Sequence, residues 1–120
     1  MKLSIITPTL NSNQYLEECA NSILINQDYD NYEWLIIDGG STDSTFEILD
    51  SYNSSKIRII KDDSNHPSIA YNKGLQVATG EIISTLGSDD MYEKNSFKEI
   101  IKIFSMNSID WLIGYNSIID

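Results

Sequence analysis

Apolar positions along this chain follow two alternating rhythms. Short aliphatic runs at Leu3 to Thr7, Trp34 to Ile37, Ile57 to Ile60 and Ile82 to Leu86 have the length and branched content of buried strands. Between and after them, apolar residues recur at helical spacing. Leu16, Cys19, Ala20, Ile23 and Leu24 mark one helix, with Glu17 and Glu18 near its start, and Phe97, Ile100, Ile101 and Phe104 mark another. Ser44-Thr45-Phe46-Glu47 has the form of a capping box, opening a helix that turns Phe46 and Leu49 inward. Pro67 and Ser68 open a further helix through Ala70, Leu75 and Val77 to Gly80, where glycine ends it. Trp111 to Tyr115 begins a fifth strand. Strand and helix alternating over short connections predict an α/β fold, a mostly parallel sheet with helices on both faces and right-handed crossovers.

Composition narrows the setting. The 120 residues amount to about one domain, and no repeat, linker or low-complexity tract divides them. A net charge of −10 argues against nucleic acid or an anionic membrane surface as partner, since both require a basic face. An acidic chain can still take a phosphorylated ligand when a divalent cation bridges the two. The lone Cys19 excludes an intrachain disulfide and suits a reducing compartment. No stretch approaches the roughly 18 apolar residues of a membrane span, and Met1-Lys2 leads straight into a strand. A cytoplasmic protein is expected, with no signal peptide and only indirect association with membranes.

The chemistry lies in the segments that follow the strands: Thr7-Pro8-Thr9-Leu10-Asn11, Asp38-Gly39-Gly40-Ser41-Thr42-Asp43 and Leu86-Gly87-Ser88-Asp89-Asp90. Taken singly each has a local explanation. Pro8 and Asn11 form turns, Gly39-Gly40 makes a tight bend, Asp43 or Ser44 caps a helix, and so can an aspartate pair. Together they gather polar loops at the carboxyl edge of one sheet, where open α/β folds bind ligands. Adjacent carboxylates there suit Mg²⁺ or Mn²⁺, which need only one or two protein ligands when the substrate brings a diphosphate. A receiver domain would require acids after the first strand and a lysine after the fifth, and a dinucleotide module a glycine-rich first loop. None of these is present.

With Ala70-Tyr71-Asn72-Lys73-Gly74 and Ala78-Thr79-Gly80-Glu81 added in order, the chain resembles the family 2 glycosyltransferases over its whole length. That resemblance implies a Rossmann-like GT-A fold and a nucleoside-diphosphate sugar, a UDP-sugar first among them, as donor. Residues 1–120 would then be the donor-binding portion of a glycosyltransferase domain, apparently truncated before the half that binds a glycan or lipid-linked acceptor and carries the catalytic base. Thr7, Pro8 and Asn11 would hold the nucleoside with Asp38, whose carboxylate can accept from a base or ribose. Asp89 looks like the metal-binding acid of the Asp-x-Asp motif, with Mn²⁺ or Mg²⁺ as cofactor. Asn72 and Lys73 would face the same pocket.

Two positions depart from the commoner pattern. Gly39 stands where many relatives have a second acid, and Gly87 where they have the first acid of Asp-x-Asp, so contacts from position 87 are absent or fall to Asp90 or water. His66, the only histidine, reads as a loop residue. No residue is assigned as catalytic base, and this chain alone is expected to bind donor without transferring it. A non-catalytic sugar-nucleotide-binding or interaction module is the alternative. Apolar side chains near the end, among them Trp111, Ile113 and Ile118, would promote self-association into a homo-oligomer.

Overall fold

The computed structural model describes residues 1–114 and 117. In chain order its elements are β1 (Leu3–Thr9), α1 (Asn13–Leu24), β2 (Tyr32–Asp38), α2 (Thr45–Ser51), β3 (Ile57–Lys61), α3 (Pro67–Val77), β4 (Ile82–Thr85) and α4 (Ser96–Met106). The strands among the described residues form one parallel sheet in the order β3-β2-β1-β4. β1 and β2 are central and lie buried on both faces, as the unbroken aliphatic runs required. On one face Leu3, Ile5, Trp34 and Ile36 pack against Leu16, Cys19 and Ile23 of α1, Leu49 of α2 and Phe97 of α4. On the other, Ile6, Leu35 and Ile37 pack against Ala70 of α3.

Close contacts fix α3 and the turn after it. A Cβ on Gly74 would lie 2.5 Å from Ile6 Cγ2, so glycine there lets the helix settle directly on β1. Gly80 is not the helix terminator expected from the sequence, because α3 ends at Val77 with Ala78 already extended. Instead its N–H donates to Ser4 Oγ at 2.8 Å, and a Cβ on it would lie 2.7 Å from the Ser4 nitrogen. Ser4 in turn donates to Glu33 Oε1 at 2.7 Å.

Glu33 is only 6% exposed, and Ser4, the Thr79 N–H and hydroxyl, and Arg58 all donate to it. Burial pushes its carboxyl up, but these donors outweigh burial and bring it down from 4.5 to about 2. A folded-state value below the unfolded one gives stability that is present above about 4.5 and lost as pH falls through about 2. The contribution at neutral pH is about 3 kcal/mol. Thermal unfolding of Glu33→Gln against the native chain is therefore expected to show a gap that is widest near neutrality and closes toward pH 2; a gap independent of pH would overturn this.

Further expectations need correction. Residues 111–114 form no strand: Trp111 and Ile113 are 86% and 89% exposed, and an apolar run without a paired neighbour has no ladder to join. Tyr115 and Ile118 lie outside the described residues. The capping box does not form, since Ser44 makes no side-chain cap bond; Asp43 Oδ1 instead accepts from the Thr45 N–H at 2.9 Å. Leu75 is 51% exposed, while Ala70 and Gly74 carry the buried stripe of α3. Glu17 and Glu18 fall in the second turn of α1.

Candidate functional site

β1 is central, with β2 and β3 on one side and β4 on the other, so the loops after β1, β2 and β4 gather at one carboxyl edge of the sheet, where open α/β folds bind ligands. β1 overruns β4 there. Its last pair with β4 is Ile6 with Thr85, whereas it stays paired to β2 as far as Thr9 with Asp38. Ile6 turns its carbonyl toward β4 and accepts from the Leu86 N–H at 3.0 Å. Pro8, two residues on, points its missing N–H the same way, past the end of that ladder, so proline breaks no bond. Thr7 is fully buried and its Oγ1 accepts from Trp34 Nε1 at 2.9 Å, which places this expected nucleoside contact in the core.

The loop after β2 is built around Asp38, which is 1% exposed. Its Oδ1 accepts from Thr9 Oγ1 and Ser41 Oγ, each at 2.6 Å, and its Oδ2 from the Gly40 and Ser41 N–H groups, each at 2.8 Å. Gly40, at φ +105°, allows the chain to fold back over the carboxylate. Burial pushes the Asp38 carboxyl up, and the donors from Ser41, Thr9 and Gly40 more than reverse it. Four donors fill the acceptor positions of a carboxylate, so Asp38 organises this loop.

Asn11 joins that loop to the first one. In a left-handed conformation, φ 47°, its Oδ1 accepts from the Thr42 N–H at 2.7 Å and the Asp43 N–H at 3.2 Å, and its own N–H donates to Ser41 Oγ. Ser12 extends the connection, donating its N–H to Thr45 Oγ1 at 3.0 Å and accepting at Oγ from Ser88 Oγ at 3.1 Å. All three loops are thereby tied together.

The third loop curls both carboxylates over Gly87. A Cβ at position 87 would lie 2.7 Å from Asp90 Oδ2 and 3.1 Å from Asp89 Oδ1, so the space an acid at 87 would use is filled by Asp90. Both aspartates are exposed. Beneath them the buried Cys19 donates its thiol toward the Gly87 carbonyl at 3.7 Å. Burial, reinforced by the charges of Asp90 and Asp89, pushes this thiol up to about 12 and keeps it protonated and inert.

Asn72 and Lys73 are exposed on α3 and line a hollow of about 400 Å³ with Lys61, Asp62 and Asp63; neither Asp89 nor Asp90 lines it. The α3 residue that senses the acidic pair is Tyr71, packed against the Ile6 and Leu35 side. Burial first, then the charges of Asp90 and Asp89, pushes its hydroxyl up. Helical geometry offered the signal: Tyr71 adjoins the Ala70–Gly74 stripe that faces β1, whereas Asn72 is turned some 200° from Ala70. His66 precedes Pro67 at the start of α3, exposed and without a side-chain cap bond.

The hard oxygen donors of Asp89 and Asp90 suit a divalent cation that keeps phosphate and water ligands. Among the described residues no cluster of three or more His, Cys, Asp or Glu side chains could enclose a metal by itself. None of their helices is long and apolar enough to cross a membrane.

Comparison with known proteins accords with this geometry. The chain is 32% identical over 115 residues to the glycosyltransferase GlyG of Streptococcus pneumoniae serotype 4, covering 93% of this chain and 38% of that protein. A crystal structure of S. aureus TarS 1-349 in complex with UDP superposes with a TM-score of 0.81 at 32% identity, over 88% of this chain and 32% of that one. The mannosyltransferase PcManGT of Pyrobaculum calidifontis, in complex with GDP-Man and Mn²⁺, gives a TM-score of 0.69 at 25% identity, over 78% and 29% of the two chains. The chain thus spans well under half the length of these proteins. Glycosyl transferase family 2 matches residues 4–114, and together with the GT-A-like fold this establishes that the chain belongs to that family.

Proposed function

We propose that this chain is the donor-binding part of an inverting glycosyltransferase, which moves a sugar from a nucleoside-diphosphate sugar to a glycan or lipid-linked acceptor. The observation that carries this reading is the convergence of Asp89 and Asp90 over Gly87 just past the carboxyl end of β4. A UDP-sugar is the donor we favour, in line with the UDP complex of TarS. Asp89 and Asp90 would hold Mn²⁺ or Mg²⁺, which when bound neutralises the charge gathering on the leaving diphosphate. Asp38 acts by shaping the loop that carries Gly40 and Ser41, and Asn11 locks that loop to the one from β1. Thr7 and Pro8 set the backbone from which the first loop departs, while Asn72 reaches the donor only from the neighbouring hollow. Residues 1–120 supply the donor and leaving-group side, and the group that deprotonates the acceptor hydroxyl belongs to another part of the enzyme.

Calorimetric titration with UDP tests the reading. Binding is expected in Mn²⁺ and is expected to weaken by at least about tenfold, or about 1.4 kcal/mol, in excess chelator, because the chain and UDP are both anionic. No binding in either condition, or equal binding in both, would defeat it. Self-association through exposed Trp111 and Ile113 belongs to the same proposal. Sedimentation velocity showing only monomer at high concentration would remove it.

A further inference from the structure

The acidic loop is held largely from outside itself. Between the end of β4 at Thr85 and the start of α4 at Ser96 the chain closes two tight turns, from the Asp90 N–H to the Gly87 carbonyl at 3.1 Å and from the Ser96 N–H to the Glu93 carbonyl at 3.2 Å. Most of its other bonds go to α1 and the residues that follow α1. Ahead of the aspartates the Gly87 carbonyl meets Cys19. Behind them the Tyr92 N–H donates to the Oγ of the fully buried Ser22 at 3.1 Å, and the Asn95 N–H to the Asn26 carbonyl at 3.0 Å.

Gln27 stands at the centre of this bracket and engages its whole amide. Nε2 donates to the Ser22 carbonyl, in the last turn of α1, and to the Glu93 carbonyl, each at 2.9 Å, while Oε1 accepts from the Phe97 N–H at 3.0 Å. Helix ends leave such carbonyls and N–H groups without partners. At α4 the N-cap residue makes no side-chain cap bond: Asn95 lies at φ 61° and its Oδ1 accepts from the Asp28 N–H at 3.0 Å. Gln27, 70 residues before Phe97, therefore ties together the end of α1, the loop and the start of α4. Two donors and an acceptor on one planar group require a carboxamide, since an ionised glutamate has no hydrogen for either carbonyl.

We propose that Gln27 is a positioning residue for the acidic pair, holding the chain that leaves Asp90 so that both carboxylates are in place before the cation and the diphosphate arrive. This rests on the donor-binding reading above. Gln27 acts through the loop and is no ligand itself. Without it the stretch after Asp90 loses its central tie, and the order it gave in advance has to be made at the moment of binding.

Calorimetric titration of UDP in Mn²⁺ and in excess chelator, on the whole chain, gives the factor that manganese confers. The native chain is expected to gain at least about tenfold, and Gln27→Met, which keeps the bulk and loses all three bonds, no more than about threefold, with affinity in chelator unchanged. Gln27→Glu separates the loop from the helix cap. Its carboxylate can still accept from the Phe97 N–H, where a helix start favours negative charge, but it repels the Glu93 carbonyl, so it too is expected to lack the manganese factor. Glu33→Gln, at the opposite end of the sheet, is expected to keep it. Coupling is reciprocal, so in the native chain Mn²⁺ with UDP is expected to slow hydrogen exchange at the Tyr92 and Phe97 amides at least about threefold beyond UDP alone, which decides the matter should a variant fail to fold. A native manganese factor in either Gln27 variant, its loss in Glu33→Gln, or exchange that manganese leaves unchanged would overturn the role of Gln27 while leaving donor binding intact. No binding of UDP by the native chain, or equal binding in both conditions, would overturn the donor reading as well.

Discussion

Asp89→Asn is expected to remove most of the affinity for UDP that manganese confers, a loss on the order of 10- to 100-fold, while affinity in chelator stays as it was. The two expected outcomes differ because the substitution keeps the shape of the side chain and deletes its charge. The carboxylate is exposed and makes no contact that supports the core, so folding should be untouched. Asp90→Asn is expected to act in the same direction, since its Oδ2 occupies the space beside Gly87. Calorimetry of both variants, with and without Mn²⁺, checks this. Equal affinity of native protein and Asp89→Asn in manganese would exclude a metal-holding role for that residue.

Asp38→Ala is expected to unfold more easily by about 3 kcal/mol, because it strands the Thr9 hydroxyl and the Gly40 and Ser41 N–H groups around a site that is almost sealed from water. A carboxylate with four internal donors is a structural hub, and donor affinity falls with it only because the loop loses its form. Urea unfolding should show the midpoint moving down at unchanged slope. Unaltered stability combined with a tenfold loss of UDP affinity would instead make Asp38 a direct contact to the nucleoside.

The periodicity of the chain was enough to place every strand of the sheet, because β1 and β2 are buried on both faces and the aliphatic runs leave no other use for them. Two of the departures, at Gly80 and at residues 111–114, share a cause: they depend on partners distant in sequence. At α2 the departure is local: Ser44 fits a capping box by residue type but makes no side-chain cap bond, and Asp43 accepts from the Thr45 N–H at the same helix end. Gly80 looked like a terminator because glycine so often ends helices, and only the approach of Ser4, 76 residues away, shows why no side chain fits there. Trp111 to Ile113 has the composition of a strand without a neighbour to pair with. At the site, the acidic pair and the polar loops were legible as residue types. Nothing local could reveal that Asp38 spends its oxygens internally or that Asp90 fills the space above Gly87.

The position of Cys19 makes the chain its own reporter. The thiol is the only one present, it is fully buried, and it donates toward the Gly87 carbonyl at the root of the acidic loop. An alkylating reagent can reach it only when α1 and that loop part, so the labelling rate reads out the opening of this corner separately from global unfolding. Ligands that clamp the loop would slow that clock, with no probe added and no residue changed.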